Sequence, residues 1–121
     1  ADVRAYCHSR PNTICMTHMS HVYPQGANLY FIFLAKMSSL EEFKAYHSGI
    51  LDAIQKSGAA MSHHHGIGKM FGPWLEGAVG RNEYGAIRAL KQYFDPDNIM
   101  NPGGTLGLDV PQEEKRFLKA L

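Results

Sequence analysis

Three consecutive histidines, His63, His64 and His65, run directly into Gly66-Ile67-Gly68. Imidazole changes protonation near neutral pH, so such a run can give and take protons in a pocket. Gly66 and Gly68 let the backbone turn tightly and approach a ligand closely. Adjacent side chains on an extended segment point to opposite faces, so at most two of the three rings converge on one metal ion without special backbone geometry. A structural metal site and a surface loop of chance histidines are the bland readings of the same run. Tyr30 is the second candidate, the polar side chain inside the apolar stretch Leu29-Tyr30-Phe31-Ile32-Phe33-Leu34. Its phenol is either a core tyrosine with a bonded hydroxyl or a pocket-wall group able to transfer protons.

These residues need elements to position them. Residues 1–12 read as a frayed lead-in. Residues 13–22 alternate as a strand, with Ile14, Met16 and Val22 on one face and Thr17, Met19 and His21 on the other. Tyr23-Pro24-Gln25-Gly26 punctuates a turn. Residues 28–35 form a second strand whose two apolar faces both call for cover. Ser39 and Glu42 fit a capping box. From there Leu40, Phe43, His47, Ile50, Leu51 and Ile54 recur at helical spacing up to Gly58, a natural helix stop. His47 lies on that stripe and reads as a packing histidine.

Residues 59–62 read as a short third strand leading into the histidines. Helices follow near 71–78, carrying Trp74, and over 82–94, with Tyr84, Ile87, Leu90 and Phe94 inward. Asp95-Pro96 ends the second of these, and a string of turns runs to Gly104. A last helix is expected from about 111, with Phe117, Leu118 and Leu121 apolar. Two adjacent strands joined by a turn predict an antiparallel sheet, and the fold class is α+β with helices flanking that sheet.

Composition narrows the function classes. The chain has 121 residues, 45% of them apolar and 19% charged, which is one domain of globular composition. Its net charge of +1 gives no electrostatic case for nucleic acid. No apolar run reaches the length of about 18 residues that spans a bilayer. The two cysteines, Cys7 and Cys15, fit free thiols in a reducing cytoplasm better than a disulfide framework. The polar Ala-Asp-Val-Arg opening, without a start methionine or signal pattern, reads as an excised piece or processed product. No G-x-G-x-x-G, Walker or nucleophile-elbow pattern is present.

Taken together, Ser62-His63-His64-His65-Gly66-Ile67-Gly68-Lys69, the downstream Trp74, and Asp95-Pro96-Asp97-Asn98-Ile99-Met100-Asn101-Pro102-Gly103 resemble the C-terminal end of FAD-linked oxidases of the vanillyl-alcohol-oxidase type. Ser20-His21-x-Tyr23 and Leu29-Tyr30-Phe31-Ile32-Phe33 are similar to the strand pair of the same enzymes. The resemblance runs from about residue 13 to 106. Within the family it is strongest to the alkyldihydroxyacetonephosphate synthases.

The resemblance implies a fragment of the substrate, or cap, domain, with FAD bound mainly by an upstream domain that is absent from this chain. It implies Tyr30, His63, His64 and His65 as catalytic residues and His21 as a substrate-pocket residue. Asn101 is implied as a cofactor-binding residue and no metal is implied. The synthases exchange the acyl chain of acyl-dihydroxyacetone phosphate for a fatty alcohol, with FAD as a covalent carrier and no net redox change. The implied partners are the upstream FAD-binding domain and a lipid-like substrate. That substrate would favour a peripheral membrane contact, and an exposed apolar strand face would favour self-association. On this reading the fragment is inactive alone.

Two other readings stand beside it. The 2-hydroxy-acid dehydrogenases of the same family carry His and Glu where this sequence has Tyr30 and His64. Several of them hold a divalent metal there, and a phenol is a poor ligand beside imidazole and carboxylate. The third reading is a free-standing histidine-rich module that binds a metal or another protein.

Overall fold

The computed structural model describes residues 2–104 and 106–116. The chain opens with helix α1 (Asp2–Ser9), followed by strands β1 (Thr13–Tyr23) and β2 (Gly26–Ala35) and helix α2 (Leu40–Lys56). Helices α3 (Gly68–Val79) and α4 (Arg81–Phe94) and a short 3₁₀ turn, Gln112–Glu114, complete it. The architecture is α+β, as expected. It divides into two compact units, Ala1–Ser57 and Gly58–Leu121.

In the first unit β1 and β2 pair antiparallel across a tight turn at Pro24-Gln25. Thr13 faces Ala35, and the rungs run regularly to Ser20 opposite Asn28. A β-bulge then inserts His21, so that Val22 pairs with Ala27. His21 adopts a left-handed backbone, φ 50°. The extra residue shifts the alternation. Val22 therefore lies on the face opposite Ile14 and Met16, which corrects the shared face read from simple alternation.

One face of the hairpin is buried at the end away from the turn, and the other is not. Cys15, Phe31 and Phe33 turn inward onto a core of Val3, Cys7, Tyr46 and Ile50. Ile14, Met16, Ile32 and Leu34 turn outward and are each about half exposed or more. The cover expected on both faces of β2 is thus present on one, where α1 and α2 lie.

The lead-in expected to be frayed is α1. Val3 and Cys7 sit one helical turn apart and both are buried. The Tyr46 hydroxyl donates to the Cys7 carbonyl at 2.9 Å, in the last turn, where helix carbonyls lack an internal partner. Burial pushes the Tyr46 phenol up to about 12, which keeps it a donor. Burial also raises the Cys7 thiol, and Cys7 and Cys15 are both free and buried, the setting of unreactive thiols.

Helix α2 begins as its sequence predicts, with the Ser39 side chain accepting from the Glu42 amide at 3.1 Å. The Glu42 carboxylate reaches back to the Ser38 amide, one residue earlier than in the usual box. Gly58, φ 74°, follows the last turn. His47 packs its ring against Phe43 at 5.7 Å. Desolvation lowers its pKa, as befits a packing histidine.

In the second unit, residues 59–62 form no strand, contrary to expectation: among the described residues, the sheet is made of β1 and β2 alone. Helix α3 starts at Gly68, three residues before its predicted start, and buries Gly72, Trp74 and Leu75. Gly72 meets Gly107 closely: a Cβ on Gly72 would lie 2.8 Å from the Gly107 Cα. The Tyr84 hydroxyl, from α4, donates to the Gly107 carbonyl at 2.7 Å.

Burial of apolar side chains then falls off along α4. Tyr84 is buried and Ile87 is half-buried, whereas Leu90 and Phe94, both expected inward, are 60% and 74% exposed. The helix expected from 111 is the single 3₁₀ turn, after which Lys115 is extended. Phe117, Leu118 and Leu121 lie outside the described residues. Among the described residues, no helix is long and apolar enough to cross a membrane.

Candidate functional site

Tyr30 and His21 lie in the first unit, and His63, His64, His65 and Asn101 in the second. The structure gathers Tyr30 with His21, and His63 with His64 and His65, while Asn101 stands on a separate turn.

On the hairpin, Tyr30 occupies the outward face, on the rung opposite His18. The two rings are 5.8 Å apart, centroid to centroid. The bulge carries His21 to the same phenol, at 6.5 Å. Simple alternation had placed His21 with Thr17 and Met19; the inserted residue swings it across. Ser20 Oγ lies 3.0 Å from His21 Nδ1 and steers that ring. Two imidazoles therefore flank one half-buried phenol. The sequence reading missed His18. Its signal is the turn at Pro24-Gln25, which counts back along β1 to the neighbourhood of His18 and Met19.

In the second unit His63, His64 and His65 form a chain of rings. His63 Nδ1 lies 2.9 Å from His64 Nδ1, and His64 Nε2 lies 2.9 Å from His65 Nε2. His64 uses both ring nitrogens. When neutral it holds one proton, so it donates in one contact and accepts in the other. Reversing the tautomer of His64 reverses the polarity of the whole chain. Such an arrangement can pass a proton from one end to the other. The three rings are exposed. Gly66 and Gly68, at φ 74° and 55°, make the turn from this chain into α3. Among the described residues, no group of three or more His, Cys, Asp or Glu side chains is arranged to hold a metal ion.

The turn string after α4 presents Asn101. Asp95 is its anchor. One oxygen accepts from the Ile99 amide at 2.8 Å, and the other from the Met100 amide at 2.9 Å and from Lys91. Lys91 also donates to the Met100 carbonyl at 2.8 Å. Downstream, Asp109 accepts from the Gly103 amide at 2.6 Å and from Asn98 at 3.3 Å. Asn101 sits between these anchors, exposed and at φ 52°. The same turn approaches Lys69, which follows the histidine stretch in sequence. A Cβ on Gly103 would lie 3.7 Å from Lys69 Nζ, so the end of the His-Gly-Ile-Gly-Lys run and the Asn-Pro-Gly turn are neighbours.

Residues 1–105 match the C-terminal domain of FAD linked oxidases. The chain belongs to that family. It is 38% identical over 95 residues to the alkyldihydroxyacetonephosphate synthase of Dictyostelium discoideum, covering 76% of this chain and 15% of that protein. It is 34% identical over 106 residues to the synthase of Trypanosoma brucei brucei, covering 85% and 17%. Against the uncharacterized FAD-linked oxidoreductase YgcU of Escherichia coli K12 the identity is 34% over 103 residues, covering 79% and 21%. The chain thus spans about a fifth or less of the length of these relatives. No solved structure matches it.

The cofactor of the family is FAD. Asn101 offers a neutral amide, both donor and acceptor, on an exposed turn pinned from both sides, a chemistry that suits a polar group of such a cofactor.

Proposed function

We propose that this chain is the substrate-domain segment of an FAD-dependent enzyme that exchanges the acyl chain of acyl-dihydroxyacetone phosphate for a fatty alcohol. The FAD-binding domain is its upstream partner, and the segment is inactive without it. The observation that carries this reading is the chemistry of the two clusters. A phenol flanked by imidazoles and a chain of three imidazoles are groups for moving protons reversibly near neutral pH. Tyr30 and His64 stand where the hydroxy-acid dehydrogenases of the family carry His and Glu, a poorer set for metal-assisted oxidation of a hydroxy acid.

The exchange needs three proton movements. A proton leaves the carbon next to the ketone, the departing carboxylate takes one up, and the incoming alcohol gives one up. FAD, when bound, supplies the covalent anchor for the substrate carbon between departure and arrival. Tyr30 is suited to the proton on carbon, as a phenol that both gives and takes. The His63–His64–His65 chain is suited to the other two, because one end releases a proton as the other accepts one. Asn101 would contact the flavin rather than the substrate.

The test is incorporation of labelled long-chain alcohol into alkyl-dihydroxyacetone phosphate by the flavoprotein that carries this segment. Tyr30→Phe and His64→Ala are each expected to lower turnover by about 100-fold to 10,000-fold, the usual weight of general acid–base catalysis. Oxidation of D-lactate or a similar acid by the same protein, without alcohol incorporation, would replace this reading with a dehydrogenase.

A further inference from the structure

Tyr30 lies on the open face of the hairpin, where its neighbours along β2, Ile32 and Leu34, are 50% and 59% exposed. Tyr30 itself is half-buried. His18 stands directly across the ladder from it, rings 5.8 Å apart and tilted by 33°. His21 closes the other side at 6.5 Å. The two histidines are held differently. His21 rides on the bulge and is steered by Ser20, whereas His18 is placed by the regular rung it shares with Tyr30. A tyrosine ring has two free torsions, and a neighbour fixed by the main chain of the facing strand is the natural limit on both.

We infer that His18 is a positioning residue for Tyr30, holding the phenol at the angle from which it exchanges a proton with substrate. The inference rests on the reaction proposed above. His18 acts through Tyr30 and forms no part of the core: it is exposed, so its removal opens no cavity. A role in packing alone therefore predicts almost no consequence of removing it. A role in aiming the phenol predicts a large one, since misplacing a reacting group by about 1 Å can cost on the order of 100-fold in rate.

The experiment measures kcat and KM for labelled-alcohol incorporation in the same flavoprotein, with His18→Ala, His18→Phe and Tyr30→Phe alone and combined. His18→Ala is expected to lower kcat by about 10-fold to 100-fold with KM changed less than about twofold. His18→Phe, which keeps a flat ring against the phenol, should recover most of that loss. With Tyr30 already replaced by Phe, His18→Ala should add nothing, because no hydroxyl remains to be aimed. The inference is overturned if His18→Ala leaves kcat within about twofold of the parent, or if it costs as much with Tyr30→Phe as without. Should His18→Ala fail to give a cooperative melt, His18→Gln takes its place under the same criteria. A Tyr30→Phe protein of full activity would sink the proposed reaction itself, an outcome distinct from an inert His18→Ala beside an inactive Tyr30→Phe.

Discussion

The two units hold their histidines by opposite means. His18 and His21 are fixed by the main chain: one by a rung of the β-ladder, the other by a bulge in it. His63, His64 and His65 are fixed by one another, ring nitrogen to ring nitrogen, on a loop that glycines bend. In the first unit the geometry is stored in long-range pairing over a buried core. In the second it is stored in local backbone conformation and in the rings themselves. The first arrangement should tolerate loss of either imidazole without moving the other. The second should not tolerate loss of His64, whose two nitrogens make both links.

The core beneath the hairpin offers the largest test of that contrast. Ile50 is buried against Cys15, Tyr46 and the inward phenylalanines. Ile50→Ala should cost about 2–5 kcal/mol, the usual range for truncating a buried aliphatic side chain, read from the urea midpoint. A loss below about 1 kcal/mol would mean that the core does not hold the ladder, and the contrast between the units would collapse.

The histidine loop should respond to a smaller, purely local lesion. Gly66 has φ 74°, and a Cβ built there meets nothing within 4 Å. Gly66→Ala therefore carries only the cost of a left-handed backbone, about 1–2 kcal/mol. Denaturant melts measure that cost, and histidine ring signals in NMR report the accompanying shift of His63–His65. If the variant is as stable as its parent and its ring signals are unmoved, the loop is held by something other than its glycines.

The same contrast explains what could be read from sequence. The hairpin was legible because Thr13–Tyr23 and Gly26–Ala35 carry strand-forming residues around a Pro-Gln turn. Helix α2 was legible because its start is written in Ser39 and Glu42. The histidine run was legible because it is contiguous. His18 was not, and the reason is one residue. A two-residue turn with unbroken pairing would set Met19 opposite Tyr30; the bulge at His21 moves His18 there instead. Ser20-His21-Val22 contains no glycine or other local sign of a bulge. Helix α1 was missed because it is only eight residues long and draws its support from tertiary packing of Val3 and Cys7. The inward reading of Leu90 and Phe94 failed for the converse reason: α4 carries an apolar stripe, but past Ile87 the positions turned inward are Lys91 and Asp95, joined as an ion pair, and not Leu90 and Phe94.

Acid should bring out a likeness between the units rather than a difference, because in each a depressed carboxylate pins a segment. Glu42 accepts from the Ser38 hydroxyl and amide, both at 2.6 Å, and from Arg10 at 2.5 Å. These contacts, the Ser38 hydroxyl foremost, hold its carboxyl down at about 2, against an ordinary value of 4.5. Asp95 is lowered as well, chiefly by Lys91 and then by the Ile99 and Met100 amides. A carboxylate depressed in the folded state binds protons more readily when the chain unfolds. Its stabilisation is therefore complete above about 4.5 and drains away as the pH falls through the folded value near 2. Glu42→Gln removes the charge that Ser38 and Arg10 recognise. Its deficit against the parent, taken from urea midpoints, should be greatest near pH 6, shrink steadily below about pH 4.5, and nearly vanish by about pH 2. A deficit that stays constant over that span would show that Glu42 holds the start of α2 by shape and not by charge.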